Sequence, residues 1–182
     1  MISRRKFIGA ALAAAVILPI EEAFAKKYRP FRLPKKERIL DLYNIHTEET
    51  IRTRYFAHGI YDRDEIDKLN YFLRCHYTGE VIPIDIKVID LMCDIKDRYH
   101  KETPIKIISG YRSPRYNELL INEGHGVSSQ SLHLKGMAID FEIDGIKTNE
   151  LSLTAKTFQK GGVGKYDDFV HIDVGRIRYW HG

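Results

Sequence analysis

The order of the hydrophobic periodicities along the chain is the feature that most limits the folds it can adopt. Apolar and polar residues alternate over residues 38–47 and again over 49–59, which predicts two strands that form a hairpin. Two segments of helical period follow, at residues 62–80 and at about 85–100. Their aliphatic stripes are typical of helices that pack on a core.

The second half of the chain also mixes strand and helix signals. A short apolar strand at 104–109 precedes the turn GYRSP, in which Ser113 can cap a helix and Pro114 can occupy its first turn. The remaining predicted elements are the helix to about residue 123, a strand around 137–142, a helix over about 149–159 and short strands around Val163 and Val170. The predicted fold class is α+β, and 182 residues with 43% hydrophobic content suffice for a single core.

The amino-terminal residues have the pattern of an export signal. Arg4 and Arg5 precede a moderately apolar run at 9–20, and the small-residue sequence AFA ends at Ala25. Paired arginines in this position resemble a twin-arginine signal. A retained membrane anchor is the alternative, but the run is shorter than the about 20 residues that span a bilayer. We expect residues 1–25 to be cleaved, which would leave a periplasmic protein without stable membrane insertion.

Residues 26–37 are basic, contain Pro30 and Pro34, and are predicted to form an N-terminal arm that precedes a domain at 38–182. The formal net charge of +4 is mild, and the basic residues are mixed with acids. Nucleic-acid binding would require a concentrated basic stripe, so we exclude DNA and RNA as partners. An anionic polymer remains compatible with this charge.

The two cysteines, Cys75 and Cys93, lack the CxxC spacing of redox motifs and zinc knots. An oxidising compartment would permit a disulfide between them. Two buried free thiols are the alternative.

The segments SLHLKGMAID and DFVHID could together form one metal site. The spacing between His133 and Asp140 is too long for one helix face, but a loop followed by a strand can turn both inward. His171 lies within a predicted strand, where alternation directs it to the same face as Phe169 and Asp173. Three protein ligands would leave zinc an open position for water, as in catalytic sites. The alternatives are a loop histidine bonded to the backbone and a strand-end acid paired with a lysine.

Several motifs carry a resemblance to a known family: NIHTEE, LNYFLRCHYTGE, ISGYRSPRYN, SLHLKGMAID and GGVGKYDDFVHIDVGRIRYW. Over residues 38–180 the chain resembles the exported YcbK-like murein endopeptidase K group of the zinc D-Ala-D-Ala carboxypeptidase and Hedgehog-type peptidase superfamily. The resemblance implies that His133, Asp140 and His171 bind one Zn²⁺. It also implies a Hedgehog/D-Ala-D-Ala peptidase-like fold, a small antiparallel sheet flanked by helices, and the peptide part of peptidoglycan as substrate.

In this superfamily an acidic residue close to the last zinc histidine commonly acts as the general base. Asp168 occupies that place, and Asp173 is the competing candidate. The segment KYDD, which precedes FVH, is shorter than we expect of the group. If Asp168 faces solvent, Asp173 or a residue of the preceding loop would have to transfer the proton.

Arg112, in the turn GYRSP, is the candidate for binding a substrate carboxylate or stabilising the oxyanion, because a guanidinium offers a rigid bidentate fork. A surface arginine is the alternative. Gln130 and Ser131 are predicted to line the same cleft through hydrogen bonds. His125 could approach the metal, but a solvated loop histidine is the preferred interpretation.

These features predict a zinc murein endopeptidase that cleaves cross-links of the D-Ala-meso-diaminopimelate type. One alternative is a DD- or LD-carboxypeptidase that acts on wall peptides. The other is a non-catalytic, zinc-containing domain that binds the wall.

Overall fold

The computed structural model describes residues 37–99 and 104–182, all of which belong to one compact unit, Lys35–Gly182. The predicted signal peptide and the predicted arm up to residue 36 lie outside these residues. Within the described ranges, no helix is both long and apolar enough to cross a membrane.

The described residues form one mixed sheet and four α-helices. The sheet has eight strands in the order β3-β2-β1-β4-β5-β7-β6-β8. The strands are β1 (Arg38–Asn44), β2 (Thr50–Ala57), β3 (Ile60–Tyr61), β4 (Ile105–Ser109), β5 (Ala138–Ile143), β6 (Gly162–Lys165), β7 (Val170–Asp173) and β8 (Arg178–His181). The helices are α1 (Arg63–Phe72), α2 (Ile86–Lys96), α3 (Pro114–Asn122) and α4 (Thr148–Thr157), with a 3₁₀ helix at Leu132–Lys135.

The α+β class is confirmed, but the prediction of a small antiparallel sheet is wrong in two respects. The sheet has eight strands, and two of its pairings, β1 with β4 and β6 with β8, are parallel. The chain passes through α1 and α2 before β4 returns beside β1, and a crossover of that length permits parallel pairing. Sequence periodicity identifies a strand, but it does not specify the neighbour or its direction.

The first helix ends at Phe72, earlier than its periodicity suggests. A turn follows, in which Gly79 has φ +74° and donates its backbone N–H to the carbonyl of Cys75 at 2.8 Å. Ser113 caps α3 as predicted, since its Oγ accepts the N–H of Tyr116 at 3.2 Å. Cys75 and Cys93 are both buried free thiols, in agreement with the second alternative.

Helices α2 and α4 pack against the middle strands of the sheet. Ile139, Phe141 and Ile172 are fully buried in this core. Because successive residues of a strand point to opposite faces, Asp140 and His171 point to the other face. The core thus fixes the side of the sheet on which the polar residues of β5 and β7 are displayed.

Candidate metal centre

The candidate site is built on one row of residues that crosses the sheet. Ser109 on β4 lies opposite Asp140 on β5, and Asp140 lies opposite His171 on β7. His171 in turn lies opposite Gly164 on β6, which pairs with Trp180 on β8. Directly opposed residues share one face of a sheet, so the backbone register alone brings Asp140 and His171 together.

The third member of the cluster, His133, comes from the short 3₁₀ helix rather than from a strand. Ser131 caps this helix, because its Oγ accepts the backbone N–H of His133 at 3.3 Å. Gly136 ends it with φ +64°, and a Cβ at this position would lie 2.7 Å from the carbonyl oxygen of Pro83. Glycine is therefore required at the point where the chain turns from His133 into β5.

His133, Asp140 and His171, called the triad from here on, are all buried. Asp140 Oδ1 lies 3.2 Å from His133 Nε2 and 2.7 Å from His171 Nδ1, and these two nitrogens are 3.1 Å apart. Ligand atoms around a tetrahedral zinc ion, at about 2.0–2.1 Å from the metal, are separated by about 3.3 Å. The donor set and its spacing fit a single small divalent cation.

A hydrogen bond on the far side of each imidazole orients the triad. His133 Nδ1 donates to the carbonyl oxygen of Gly110 at 2.7 Å, which leaves its Nε2 lone pair directed at the cluster. His171 Nε2 donates to Asp173 Oδ2 at 3.1 Å, which leaves Nδ1 directed at the cluster. Such outer partners set the tautomer and the ring orientation of metal-binding histidines.

The protonation states of Asp140 and His133 suit metal binding. Burial would raise the pKa of Asp140, but His133 and His171 outweigh that effect and hold the pKa of this carboxyl well below its ordinary value. Burial lowers the pKa of His133, despite the nearby Asp140. Asp140 is therefore ionised and His133 neutral near neutral pH, as metal ligands must be.

Arg112 lies beside the triad, at the turn that follows β4. Its Nε donates to Ser109 Oγ at 2.9 Å, and its Nη2 forms an ion pair with Asp140 Oδ2. Arg112 therefore holds the second oxygen of a triad carboxylate, while it also lines the adjoining cleft.

The triad lies in a cleft of about 710 Å³. Gln130, Ser131 and His125 line it, as does Arg112. His125 is exposed and contacts Glu123, with 3.2 Å between Nε2 and Oε2, and it is not part of the triad. The loop that precedes the 3₁₀ helix therefore forms one side of the cleft.

The two candidate bases occupy different environments. Asp173 is fully buried behind His171, and its Oδ1 accepts the backbone N–H groups of Gly162 at 3.0 Å and Gly175 at 2.8 Å. Its Oδ2 pairs with Arg178 Nη2 at 2.7 Å. Burial would raise the pKa of Asp173, but the hydrogen bonds from His171, these amides and Arg178 lower it strongly.

Asp168 lies instead in the exposed turn between β6 and β7. A hydrogen bond from the N–H of Tyr166 to the carbonyl of Phe169 closes this turn at 3.0 Å. Tyr166 and Phe169 line the cleft, whereas Asp168 is not among the lining residues of the described chain. Asp168 therefore immediately precedes a residue that lines the cleft, Phe169, while its own side chain is exposed.

Sequence reasoning missed a group of residues that line the cleft on both sides of the triad. A signal for part of this group was the glycine pattern GGVG: at Gly164, a Cβ would lie 2.5 Å from Trp180 Cε2. A strand glycine often marks a place where another group approaches the backbone closely. The missed lining residues are His46, Tyr116, Tyr166, Phe169, Arg178 and Trp180.

Comparison with known proteins identifies relatives of this chain. The family model described as Peptidoglycan L,D-endopeptidase MepK matches residues 32–180. The Escherichia coli (strain K12) peptidoglycan L,D-endopeptidase MepK is 38% identical over 98% of this chain and 97% of its own length. A Haemophilus influenzae protein named probable peptidoglycan L,D-endopeptidase MepK is 32% identical over 81% of each chain.

No solved structure gives a significant match. The family model spans every element of the described domain that carries a triad residue, and the Escherichia coli relative extends over almost the whole chain. This chain therefore belongs to the family of the peptidoglycan L,D-endopeptidase MepK.

Proposed function

We propose that this chain is an exported, zinc-dependent endopeptidase that hydrolyses peptide bonds in peptidoglycan. Membership of a peptidase family supports the enzyme class, and the buried triad supports the metal. The relatives are named as L,D-endopeptidases. We therefore replace the predicted D-alanyl bond by an L,D bond as the proposed site of cleavage.

The main support for an endopeptidase is that the cleft extends on both sides of the triad. The cleft includes His46, just beyond β1, and Trp180 on β8, with the triad residues Asp140 and His171 on strands between them. Neighbouring strands are about 4.8 Å apart, so binding surface extends for several ångströms on each side of the triad. An endopeptidase needs surface on both sides of the scissile bond, whereas a carboxypeptidase needs one side to close around the terminal main-chain carboxylate of the substrate.

His133, Asp140 and His171 would hold the zinc ion through Nε2, Oδ1 and Nδ1. When bound, zinc lowers the pKa of water to about 7 and polarises a carbonyl group. Arg112 keeps Asp140 oriented through its second oxygen. The N–H groups of Arg112 that Ser109 and Asp140 do not occupy can donate to the substrate carbonyl as negative charge develops on it.

We assign proton transfer to Asp168 and a positioning role to Asp173. Asp173 is engaged through both oxygens and lies behind His171. The exposed carboxylate of Asp168, which precedes the cleft residue Phe169, would accept a proton from the attacking water and return it to the leaving amine. Asp168 also precedes His171 in the relation expected from the superfamily.

The function is tested with mature protein loaded with zinc and three substrates: dimers with L,D cross-links, dimers with D,D cross-links and uncross-linked monomers. We expect cleavage of the L,D dimers, loss of activity with chelator and recovery with added zinc. Release of a terminal amino acid from monomers, with dimers left intact, would establish a carboxypeptidase instead. Binding to intact sacculi without any product from zinc-loaded protein would establish a wall-binding domain.

Export by the twin-arginine route belongs to the same proposal and has its own test. The chain is expressed in a bacterial host with Arg4 and Arg5 intact or both replaced by lysine. We expect the intact chain in the periplasmic fraction without its first 25 residues, and the lysine variant in the cytoplasm as the uncleaved precursor. Unchanged export of the variant would exclude this route.

A further inference from the structure

One wall of the cleft, formed by β6, β8 and the turn after β6, combines aromatic rings with a guanidinium. This aromatic wall consists of Tyr166, Phe169, Arg178 and Trp180, all of which line the cleft. The rings of Tyr166 and Phe169 stack with centroids 4.4 Å apart. Trp180 Nε1 donates to the hydroxyl of Tyr166 at 3.2 Å, and the indole centroid lies 5.1 Å from that of His171. The wall therefore adjoins the triad directly.

The backbone of β6 is built to accommodate this wall. A Cβ on Gly164 would overlap the indole of Trp180, and a Cβ on Gly162 would lie 2.6 Å from Arg178 Nη1. The volume that two strand side chains would normally fill is occupied by Trp180 and Arg178 of β8 and, at Gly162, also by Asp173 of β7. Arg178 and Trp180 are thus placed by the sheet, whereas Tyr166 and Phe169 come from the turn after β6.

Arg178 retains hydrogen-bonding capacity towards a ligand. Its Nη1 donates to Asp173 Oδ1 at 3.1 Å and to the carbonyl of Arg176 at 3.2 Å, and its Nη2 lies 2.7 Å from Asp173 Oδ2. A guanidinium carries five N–H groups, so these contacts leave two of them. The side chain is 34% exposed, and its guanidinium lies 4.9 Å from the centroid of the Trp180 ring.

The charges around the triad favour an anionic ligand. Arg112 pairs with the buried Asp140, and Arg178 pairs with the buried Asp173. The two guanidinium groups therefore balance the two carboxylates. A divalent cation in the triad would leave its own positive charge unbalanced in the cleft.

We propose that the aromatic wall binds a substrate residue whose side chain has an aliphatic stem and ends in a carboxylate. The stem would lie against Trp180 and Tyr166, and the carboxylate would accept N–H groups of Arg178. The diamino dicarboxylic acid of peptidoglycan peptides, diaminopimelate, belongs to this chemical class. The inference rests on the proposed function, because it selects the substrate residue that the same cleft would bind.

The test uses zinc-loaded protein and a stem tripeptide that ends in diaminopimelate, with its side-chain carboxylate either free or amidated. Binding is measured by titration calorimetry. We expect wild type to bind the free acid about tenfold more tightly, as for one charge-assisted hydrogen-bonded contact. Arg178→Gln should bind both peptides equally weakly. The matched control Arg176→Gln, an exposed arginine of the same turn, should retain the tenfold preference.

Arg178→Lys tests the same point if Arg178→Gln fails to fold. A lysine can still pair with Asp173, but a single ammonium cannot replace the fork that serves two carboxylates. We expect a preference below about threefold. A tenfold preference that survives in either folded variant overturns the proposal, as does a wild-type protein without any preference.

The aromatic part of the wall is tested with Trp180→Ala. We expect similarly weaker binding of both peptides, while the control Tyr179→Ala, whose side chain alternates to the other face of β8, should bind as wild type does. Unchanged affinity of Trp180→Ala would overturn the role of the ring. The tripeptide has no cross-link, so the binding test does not depend on hydrolysis. If the protein keeps its preference for the free acid but does not hydrolyse dimers, only the proposed function is refuted.

Discussion

The two histidines of the triad reach the same point from very different kinds of structure. His171 lies within β7, and its place is set by the register of the sheet and by a side-chain carboxylate, Asp173. His133 lies in a capped 3₁₀ helix and is oriented by a backbone carbonyl, that of Gly110. One ligand is therefore held by a side chain that mutation can remove, and the other by the main chain.

This difference separates two effects of a hydrogen-bond partner on a histidine: it orients the ring, and it can change the charge next to it. Both partners select a tautomer and hold a ring. Only the carboxylate adds negative charge, and it helps to raise the pKa of His171, whereas burial lowers the pKa of His133. The pair therefore offers a comparison of a charged and a neutral outer partner around one candidate metal site.

The largest expected effect is common to both histidines. His133→Ala and His171→Ala should each reduce zinc affinity by more than about a hundredfold, because loss of an outer partner alone costs about 10–100-fold. Elemental analysis after dialysis, together with dimer hydrolysis, measures this loss. The control His125→Ala removes an exposed histidine that lines the cleft outside the triad and should retain zinc. Stoichiometric zinc in either triad variant would contradict the assignment.

The regions around the two histidines were not equally predictable from sequence. Alternation in FVHID correctly identified the strand around His171, and the capping residue before Pro114 correctly identified the start of α3. These signals are local, because strand period and capping depend on neighbours in the chain. The segment that positions His133 has no periodicity, since a single 3₁₀ turn is too short to show one.

Features that depend on pairing between distant segments were not predictable. The parallel pairing of β8 with β6 brings Trp180 over Gly164. In the sequence, a tryptophan and a glycine sixteen positions apart give no sign that the two residues are in contact. The same holds for Asp173, since alternation correctly placed it on the face of His171, but its enclosure by Arg178 depends on β8. Periodicity contains no information on which strands become neighbours.

The next largest effect is expected for Asp168, in the turn that leads to His171. The loop before His133 has no acid in the corresponding position, so proton transfer is expected on the His171 side only. Asp168→Asn should reduce kcat by about 10²–10⁴-fold while zinc content is unchanged, since only proton transfer is removed. Steady-state hydrolysis of L,D dimers measures kcat. Asp167→Asn, the adjacent exposed acid of the same turn, is the matched control and should remain close to wild type. Equal effects of the two substitutions would end the role of Asp168 as base.

A smaller effect is expected when the charged outer partner of His171 is changed. Asp173→Asn should weaken zinc affinity by about 10–100-fold, because His171 loses the carboxylate that orients it. Competition with a chromogenic chelator measures the affinity. A positioning role also predicts that excess zinc restores most of the activity. Unchanged zinc affinity with a low kcat that excess zinc does not restore would instead identify Asp173 as the base.

The smallest effect concerns His133, whose outer hydrogen bond goes to a backbone carbonyl and not to a side chain. Ser131→Ala removes the hydroxyl that accepts the N–H of His133, and it should lower the free energy of unfolding by about 1 kcal/mol, as for a lost helix cap. Denaturant unfolding of the zinc-free protein measures this, with the exposed neighbour Ser129→Ala as control. Because Gly110 still orients the ring, zinc affinity should change less than in Asp173→Asn. If Ser131→Ala weakens zinc as strongly as Asp173→Asn, the cap of the 3₁₀ helix, and not the carbonyl of Gly110, controls the position of His133.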